Sequence, residues 1–116
     1  EESRSHIREV SIEEVARRLD SNEPFVLIDV REDHEWAKGH LPKARHLGRG
    51  ILERDVELAF PDVQTDIVLY CGGGYRSALA AESLQRMGYQ KVRSMWGGFR
   101  GWATSGRPVE QSEERR

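Results

Sequence analysis

Apolar and polar positions fall into alternating blocks that predict strands separated by helices. Short β-rich apolar runs predict five strands, at residues 7–10, 25–29, 45–47, 67–70 and 92–95. Apolar residues at helical spacing predict helices at residues 11–19, 32–38, 51–60 and 77–88, and a last helix that carries Trp102. Because strands alternate with helices, we expect an α/β fold: a parallel sheet of about five strands flanked by helices on both faces.

Two sets of side chains are predicted to complete the core. The helix that starts at Ser77 is expected to pack on the sheet through Leu79, Ala80, Ser83, Leu84 and Met87. Aromatic residues near the C-terminus are expected to close the core, namely Trp96, Phe99 and Trp102. Trp96 and Phe99 are also expected to border the mouth of a pocket.

Length and composition fit one soluble globular domain. The chain has 116 residues, 37% of them hydrophobic and 33% charged. We expect a domain at residues 7–109 between flexible tails at residues 1–6 and 110–116. The formal net charge of −2 offers no basic excess for nucleic acid, and no apolar run approaches the roughly 20 residues that cross a bilayer. Nothing in the sequence demands more than a monomer.

The start of the chain and its cysteine content bear on the compartment. Residues 1–10 are polar and resemble no signal peptide. The single cysteine, Cys71, excludes an intrachain disulfide. Both observations favour the cytoplasm. The chain begins at Glu1 rather than at Met, so we expect that an upstream piece (a tag, a leader or another domain) has been removed or lies outside this sequence.

The chain is organised around residues 66–88, which predict a strand, a tight glycine loop and a helix. Cys71 follows the strand directly, and three glycines follow Cys71. The N–H groups at the start of a helix lack partners, the helix dipole adds positive charge there, and glycines let successive N–H groups point inward. Arg76 adds a permanent charge. Such sites lower the pKa of a cysteine from about 8.5 to roughly 3.5–7.5, so we predict a reactive thiolate.

Two charged residues past the second strand bear on the same edge of the sheet. The apolar run at residues 25–29 ends in Asp29, and Arg31 lies just beyond it. Ligands of open α/β sheets bind at the carboxyl ends of the strands. The two side chains are predicted to form an ion pair that braces neighbouring loops. Arg31 is also predicted to lie at the rim of the Cys71 pocket and to assist anionic substrates. The two interpretations are compatible.

Three histidines lie within thirteen residues, at positions 34, 40 and 46. Neighbouring histidines are six residues apart, a spacing that matches no common metal-binding motif, so we expect no metal site. His40 is expected to satisfy a backbone group beside the loop. A Cys–His catalytic pair is the alternative.

Three stretches together resemble the rhodanese family of sulfurtransferases. Residues 71–77 resemble its active-site loop, which reads Cys, two variable residues, Gly, one variable residue, Arg, and Ser or Thr. The amino-terminal signature is matched by residues 27–32, 35–36 and 39–42, and the carboxy-terminal signature by residues 97–99 with Trp102. The resemblance covers about residues 8–109. The family usually has Gly-Ala where Lys43-Ala44 stands, a departure that concerns the local turn.

The resemblance implies sulfur transfer by covalent catalysis. Cys71 is expected to take sulfane sulfur from a small anion such as thiosulfate and to pass it, as a persulfide, to cyanide, a thiol or a thioredoxin-like protein. Substrate binding is assigned to Gly72, Gly73, Gly74, Tyr75, Arg76, Ser77 and Arg31. Arg76 is expected to hold the loop and the oxyanion end of the donor, and Ser77 to donate a hydrogen bond to the sulfur. No cofactor is expected, because the cysteine carries the sulfur.

Two other functions remain open. A cysteine phosphatase or arsenate reductase would use the same anion cradle, but phosphatases of this architecture have five residues between Cys and Arg, and this chain has four. A non-catalytic persulfide carrier or a sulfur- or redox-sensing module is the other alternative. The presence of Cys71 argues against an inactive domain.

Overall fold

The computed structural model describes residues 8–48, 50–73 and 75–111. Strands and helices alternate along them in the order β1 (Arg8–Val10), α1 (Ile12–Asp20), β2 (Val26–Asp29), α2 (Asp33–Lys38), β3 (Arg45–His46), α3 (Leu52–Ala59), β4 (Asp66–Tyr70), α4 (Tyr75–Arg86), β5 (Lys91–Met95) and α5 (Gly98–Thr104). No helix in this part of the chain is long and apolar enough to cross a membrane.

The five strands form one parallel sheet in the order β1-β5-β4-β2-β3. β4 is the central strand, paired on one side with β2 and on the other with β5. Near its carboxyl end, Tyr70 is opposite Asp29 of β2, and Leu69 is opposite Ser94 of β5. The predicted parallel α/β sheet is confirmed, and the ends of β2, β4 and β5 meet beside the loop that follows β4.

Each face of the sheet is covered by its own pair of helices. Successive side chains of β4 point to opposite faces of the sheet, so Ile67 and Leu69 lie on one face and Val68 and Tyr70 on the other. The first face packs against α3 and α4, and the second against α1 and α5. These four side chains are fully buried, as expected for a strand covered on both sides, and only Asp66 at the start of β4 is partly exposed.

Two of the predicted core residues are exposed instead. Leu79 is 36% exposed, because the buried side of α4 runs through Ser77, Ala80, Ala81 and Leu84. Consecutive helical residues are about 100° apart, and Leu79 therefore points away from that stripe. Trp96 is 65% exposed, because it lies in the turn between β5 and α5 and not on a face of either element. Trp102 is buried as predicted.

A backbone bridge joins the start of the predicted C-terminal tail to the domain. Glu110, the first residue of the predicted tail, forms an antiparallel bridge with His40. Both backbone hydrogen bonds of this bridge measure 2.8 Å. The hydrogen-bonded structure thus continues past residue 109. The predicted tail at residues 1–6 lies outside the described residues, as do residues 112–116.

Candidate active site

Cys71 lies where the central strand gives way to helix α4. β4 ends at Tyr70 and α4 begins at Tyr75, two residues before the predicted helix start at Ser77. Tyr75 and Arg76 therefore belong to the first helical turn and not to the loop. Cys71 is only 1% exposed. Gly74, which the sequence places in the same loop, lies outside the described residues.

The sulfur of Cys71 contacts a pair of buried serines. The Ser77 N–H donates a hydrogen bond to Cys71 Sγ at 3.3 Å, and Ser77 Oγ is 3.7 Å from the same sulfur. Ser77 Oγ lies 2.7 Å from Oγ of Ser94, which projects from β5. An ionised sulfur only accepts, so the Ser77 hydroxyl would then donate to it and the Ser94 hydroxyl to Ser77. The serine pair can thus stabilise negative charge on the sulfur.

The first turn of helix α5 contacts the loop after β4 through two backbone hydrogen bonds. The N–H of Phe99 donates to the Cys71 carbonyl at 2.7 Å, and the N–H of Arg100 donates to the Gly72 carbonyl at 2.9 Å. In a trans peptide the N–H points opposite to the carbonyl. The N–H groups of Gly72 and Gly73 therefore point away from α5.

This close approach depends on Gly98. Its φ is +60°, and a methyl group placed on it would lie 2.5 Å from the Cys71 carbonyl oxygen and 2.6 Å from that of Gly72. Both are backbone atoms that no side-chain rotation can move. Glycine at this position lets the first turn of α5 contact the loop directly.

Gly98→Ala is expected to destabilise the protein and to distort the loop around Cys71. The left-handed conformation costs an alanine about 1–2 kcal/mol, and overpacking adds about 1–3 kcal/mol. We expect a loss of about 2–5 kcal/mol in the free energy of unfolding, measured by urea denaturation. We also expect slower reaction of Cys71 with sulfur donors.

Gly106→Ala is the matched control for this variant. Gly106 also has a positive φ, +82°, but nothing lies within 4 Å of an added methyl group. Gly106→Ala is expected to lose only the conformational part, about 1–2 kcal/mol. Equal losses in the two variants would show that the contact between α5 and the loop contributes nothing.

Two guanidinium groups lie over the glycines of the loop. A methyl group placed on Gly72 would be 3.3 Å from Nη2 of Arg76, and one on Gly73 would be 3.0 Å from Nη1 of Arg100. Arg76 also pairs with Glu35 of α2, with 3.5 Å between Nη2 and Oε2. The glycines therefore leave room for two cations close to Cys71.

Glu35 is held in place as an ionised partner of Arg76. Its carboxylate accepts the Glu32 N–H at 2.9 Å. Burial favours the protonated carboxyl, but this hydrogen bond and the charge of Arg76 outweigh it and hold the pKa of Glu35 below its usual range. Arg76 is thus braced against α2.

Arg31 forms the predicted ion pair with Asp29. Its Nε and Nη2 donate to both carboxylate oxygens at 2.8–3.1 Å, and Nη2 also donates to the Gly39 carbonyl at 2.6 Å. Burial opposes the charge, but Asp29 outweighs it and raises the pKa of Arg31. Arg31 is 4% exposed and its guanidinium lies over the Phe99 ring. Its predicted contact with substrates stays a prediction.

Two of the three histidines, His40 and His46, belong to an aromatic stack. The rings of His40 and His46 both stack on Trp36, with centroid distances of 3.6 and 4.9 Å. His40 Nδ1 contacts the Leu41 carbonyl at 3.0 Å, as predicted for a histidine that satisfies a backbone group. Within the described ranges, no three His, Cys, Asp or Glu side chains are grouped so that they could hold a metal ion.

Sequence reasoning missed three residues that the structure brings to Cys71. Gly98 belongs to the recognised carboxy-terminal signature, and Arg100 lies between its Phe99 and Trp102, but neither position by itself indicates contact with the loop. Ser94 lies inside a predicted strand. Its polarity between Val92 and Met95 is the one signal that could have drawn attention to it.

Comparison with known proteins places this fold among the α/β domains related to sulfurtransferases. Residues 11–105 match the rhodanese-like domain. The chain therefore belongs to the rhodanese family.

Three similar proteins differ in how they are described. YrkF of Bacillus subtilis, named for a sulfur-carrier role, is 35% identical over 87% of this chain, which spans about half (54%) of YrkF. The thiosulfate sulfurtransferase GlpE of Actinobacillus pleuropneumoniae is 34% identical over 82% of this chain and 86% of its own length. A Rhodopseudomonas palustris structure, described as of unknown function and a possible tyrosine phosphatase, has a TM-score of 0.87 and 31% identity, over 94% of this chain and 89% of its own.

Proposed function

We propose that the protein transfers sulfane sulfur from an anionic donor such as thiosulfate to an external thiol through a persulfide on Cys71. The observation that carries the proposal is the set of contacts at the sulfur, in which Cys71 Sγ accepts the Ser77 N–H and lies beside the Ser77–Ser94 hydroxyl pair. These donors would stabilise a thiolate before transfer and a persulfide anion after it.

The first half of the reaction would be a displacement at sulfur. The Cys71 thiolate attacks the outer sulfur of thiosulfate, a new S–S bond forms on Cys71, and the S–S bond of the donor breaks. The bonding electrons leave with sulfite. A single negative charge remains on the protein, now on the terminal sulfur of the persulfide. No proton is transferred in this step.

The second half needs an acceptor from outside the chain. Cys71 is the single cysteine of this sequence, so no second thiol within these 116 residues can displace its sulfur. A small thiol, cyanide or a thioredoxin-like protein would attack the terminal sulfur and restore the thiolate. The cysteine itself carries the group that is transferred, and the proposed cycle requires no cofactor.

Intact-mass spectrometry tests the proposal directly. After incubation with thiosulfate, the protein is expected to gain the mass of one sulfur atom and to release one equivalent of sulfite. Cyanide or a thiol should remove the added mass. If thiosulfate and a series of organic persulfides all leave the mass unchanged, the proposal is wrong.

The same experiment separates the alternatives. A persulfide that forms but passes to no added thiol would support the carrier role for which YrkF is named. Hydrolysis of an aryl phosphate would support the phosphatase role suggested for the Rhodopseudomonas palustris protein. Four residues separate Cys71 from Arg76, a spacing that favours a single sulfur atom over a phosphate group.

A further inference from the structure

Arg100 is anchored beside Cys71 by its own backbone. It is the third residue of α5, and its N–H donates to the Gly72 carbonyl at 2.9 Å. Helical side chains lean toward the N-terminus of their helix, and the N-terminus of α5 faces the loop. The guanidinium accordingly lies next to Gly73, where an added methyl group would be 3.0 Å from Nη1.

Arg100 and Arg76 reach the same part of the loop. A methyl group placed on Gly72 would lie 3.3 Å from Nη2 of Arg76 and 4.0 Å from Nη2 of Arg100. The Nη2 atoms of Arg76 and Arg100 are both near the position of this methyl group, so the two atoms are no more than about 7 Å apart. Charge-assisted hydrogen bonds are about 2.7–2.9 Å long, so one oxyanion can bridge the two groups.

The two arginines differ in what else they bind. Arg76 pairs with Glu35, which is ionised and fixed by its own hydrogen bond to Glu32. Among the residues that the structure describes, no carboxylate lies within ion-pair distance of Arg100, and its side chain is exposed. No carboxylate in this part of the chain therefore competes with a ligand for the donors of the Arg100 guanidinium.

We propose that Arg100 binds the oxyanion end of the sulfur donor and makes the site selective for anionic donors, while Arg76 chiefly braces the loop. The inference rests on the proposed function and deepens it. With thiosulfate, Arg100 would hold the sulfonate oxygens while the outer sulfur meets the Cys71 thiolate. The same contact would stabilise the departing sulfite, on which negative charge increases as the S–S bond breaks.

Arg100→Gln tests this role against a matched control. The second-order rate constant for persulfide formation from thiosulfate is expected to fall about tenfold or more, because charge-assisted hydrogen bonds are among the strong ones. Arg86→Gln makes the same change of charge at the far end of α4, where Arg86 pairs with Glu82. It is expected to leave the rate constant within about twofold, since screening weakens exposed charges beyond about 10 Å.

A second readout does not depend on sulfur transfer. Iodoacetate and iodoacetamide both alkylate a thiolate, but only iodoacetate is an anion. Arg100→Gln is expected to lower the ratio of the iodoacetate rate to the iodoacetamide rate, and to leave the iodoacetamide rate unchanged. Arg100→Lys, which keeps the charge, should retain most of the ratio.

The outcomes distinguish failure of this inference from failure of the proposed function. A ratio that Arg100→Gln leaves unchanged overturns the inference even if the persulfide forms. An equal loss in Arg86→Gln does so as well, because the effect would then come from overall charge. A lowered ratio in Arg100→Gln alone supports the inference even if thiosulfate is not the donor.

Discussion

Cys71→Ser is expected to abolish sulfur transfer and to leave the fold intact. A hydroxyl is not ionised near neutral pH and forms no persulfide, so the rate should fall by at least about a thousandfold, as losses of a catalytic nucleophile do. The serine hydroxyl can accept the Ser77 N–H in place of the sulfur. We therefore expect the thermal midpoint to stay within a few degrees of that of the wild type.

The measurement pairs the loss of activity with a control for folding. Thiosulfate should add no sulfur to Cys71→Ser by intact mass, and the cyanide assay should show no thiocyanate above background. Cys71→Ala should behave in the same way, since it also lacks the nucleophile. Sulfur transfer retained by either variant would mean that Cys71 does not carry the sulfur.

Local pattern predicted the parts of this molecule that are local in sequence. The apolar run before Cys71, the glycines after it and the helical spacing beyond them are contiguous, and the structure forms β4, the loop and α4 from them. The alternation of strands and helices likewise predicted the parallel sheet. The position of Cys71 at the carboxyl end of a central strand follows from these two features together.

The remainder of the site depends on contacts between distant parts of the chain. Ser94, Gly98 and Arg100 lie more than twenty residues beyond Cys71 and reach it only because β5 pairs with β4 and α5 docks on the loop. Nothing in the neighbouring sequence shows that a serine in a strand or an arginine in a helix will contact a loop more than twenty residues away. Trp96 was wrongly predicted to be buried. Its apolar side chain suggested a place in the core, but its position in a turn leaves it exposed.

The second large effect is expected from Asp29→Ala, which leaves a buried arginine without its counter-charge. The Asp29 carboxylate is fully buried and accepts the Arg31 backbone N–H, at 2.9 Å, as well as the Arg31 guanidinium. Removing one partner of a buried ion pair costs about 3–5 kcal/mol, a large share of the 5–15 kcal/mol that stabilises a typical domain. We expect the thermal midpoint to fall by roughly 10–20 °C.

The double variant Asp29→Ala/Arg31→Met shows whether the isolated charge is the cause. It removes the guanidinium as well, while a methionine still packs against Phe99, over whose ring Arg31 lies with Cζ 4.2 Å from the centroid. Buried pairs replaced by apolar side chains often keep their stability, so the double variant should unfold at a higher temperature than Asp29→Ala alone. If the two unfold at the same temperature, the cost lies elsewhere, in the lost bond to the Arg31 N–H. Arg31 would then brace the loops through packing and its bond to Gly39 more than through its charge.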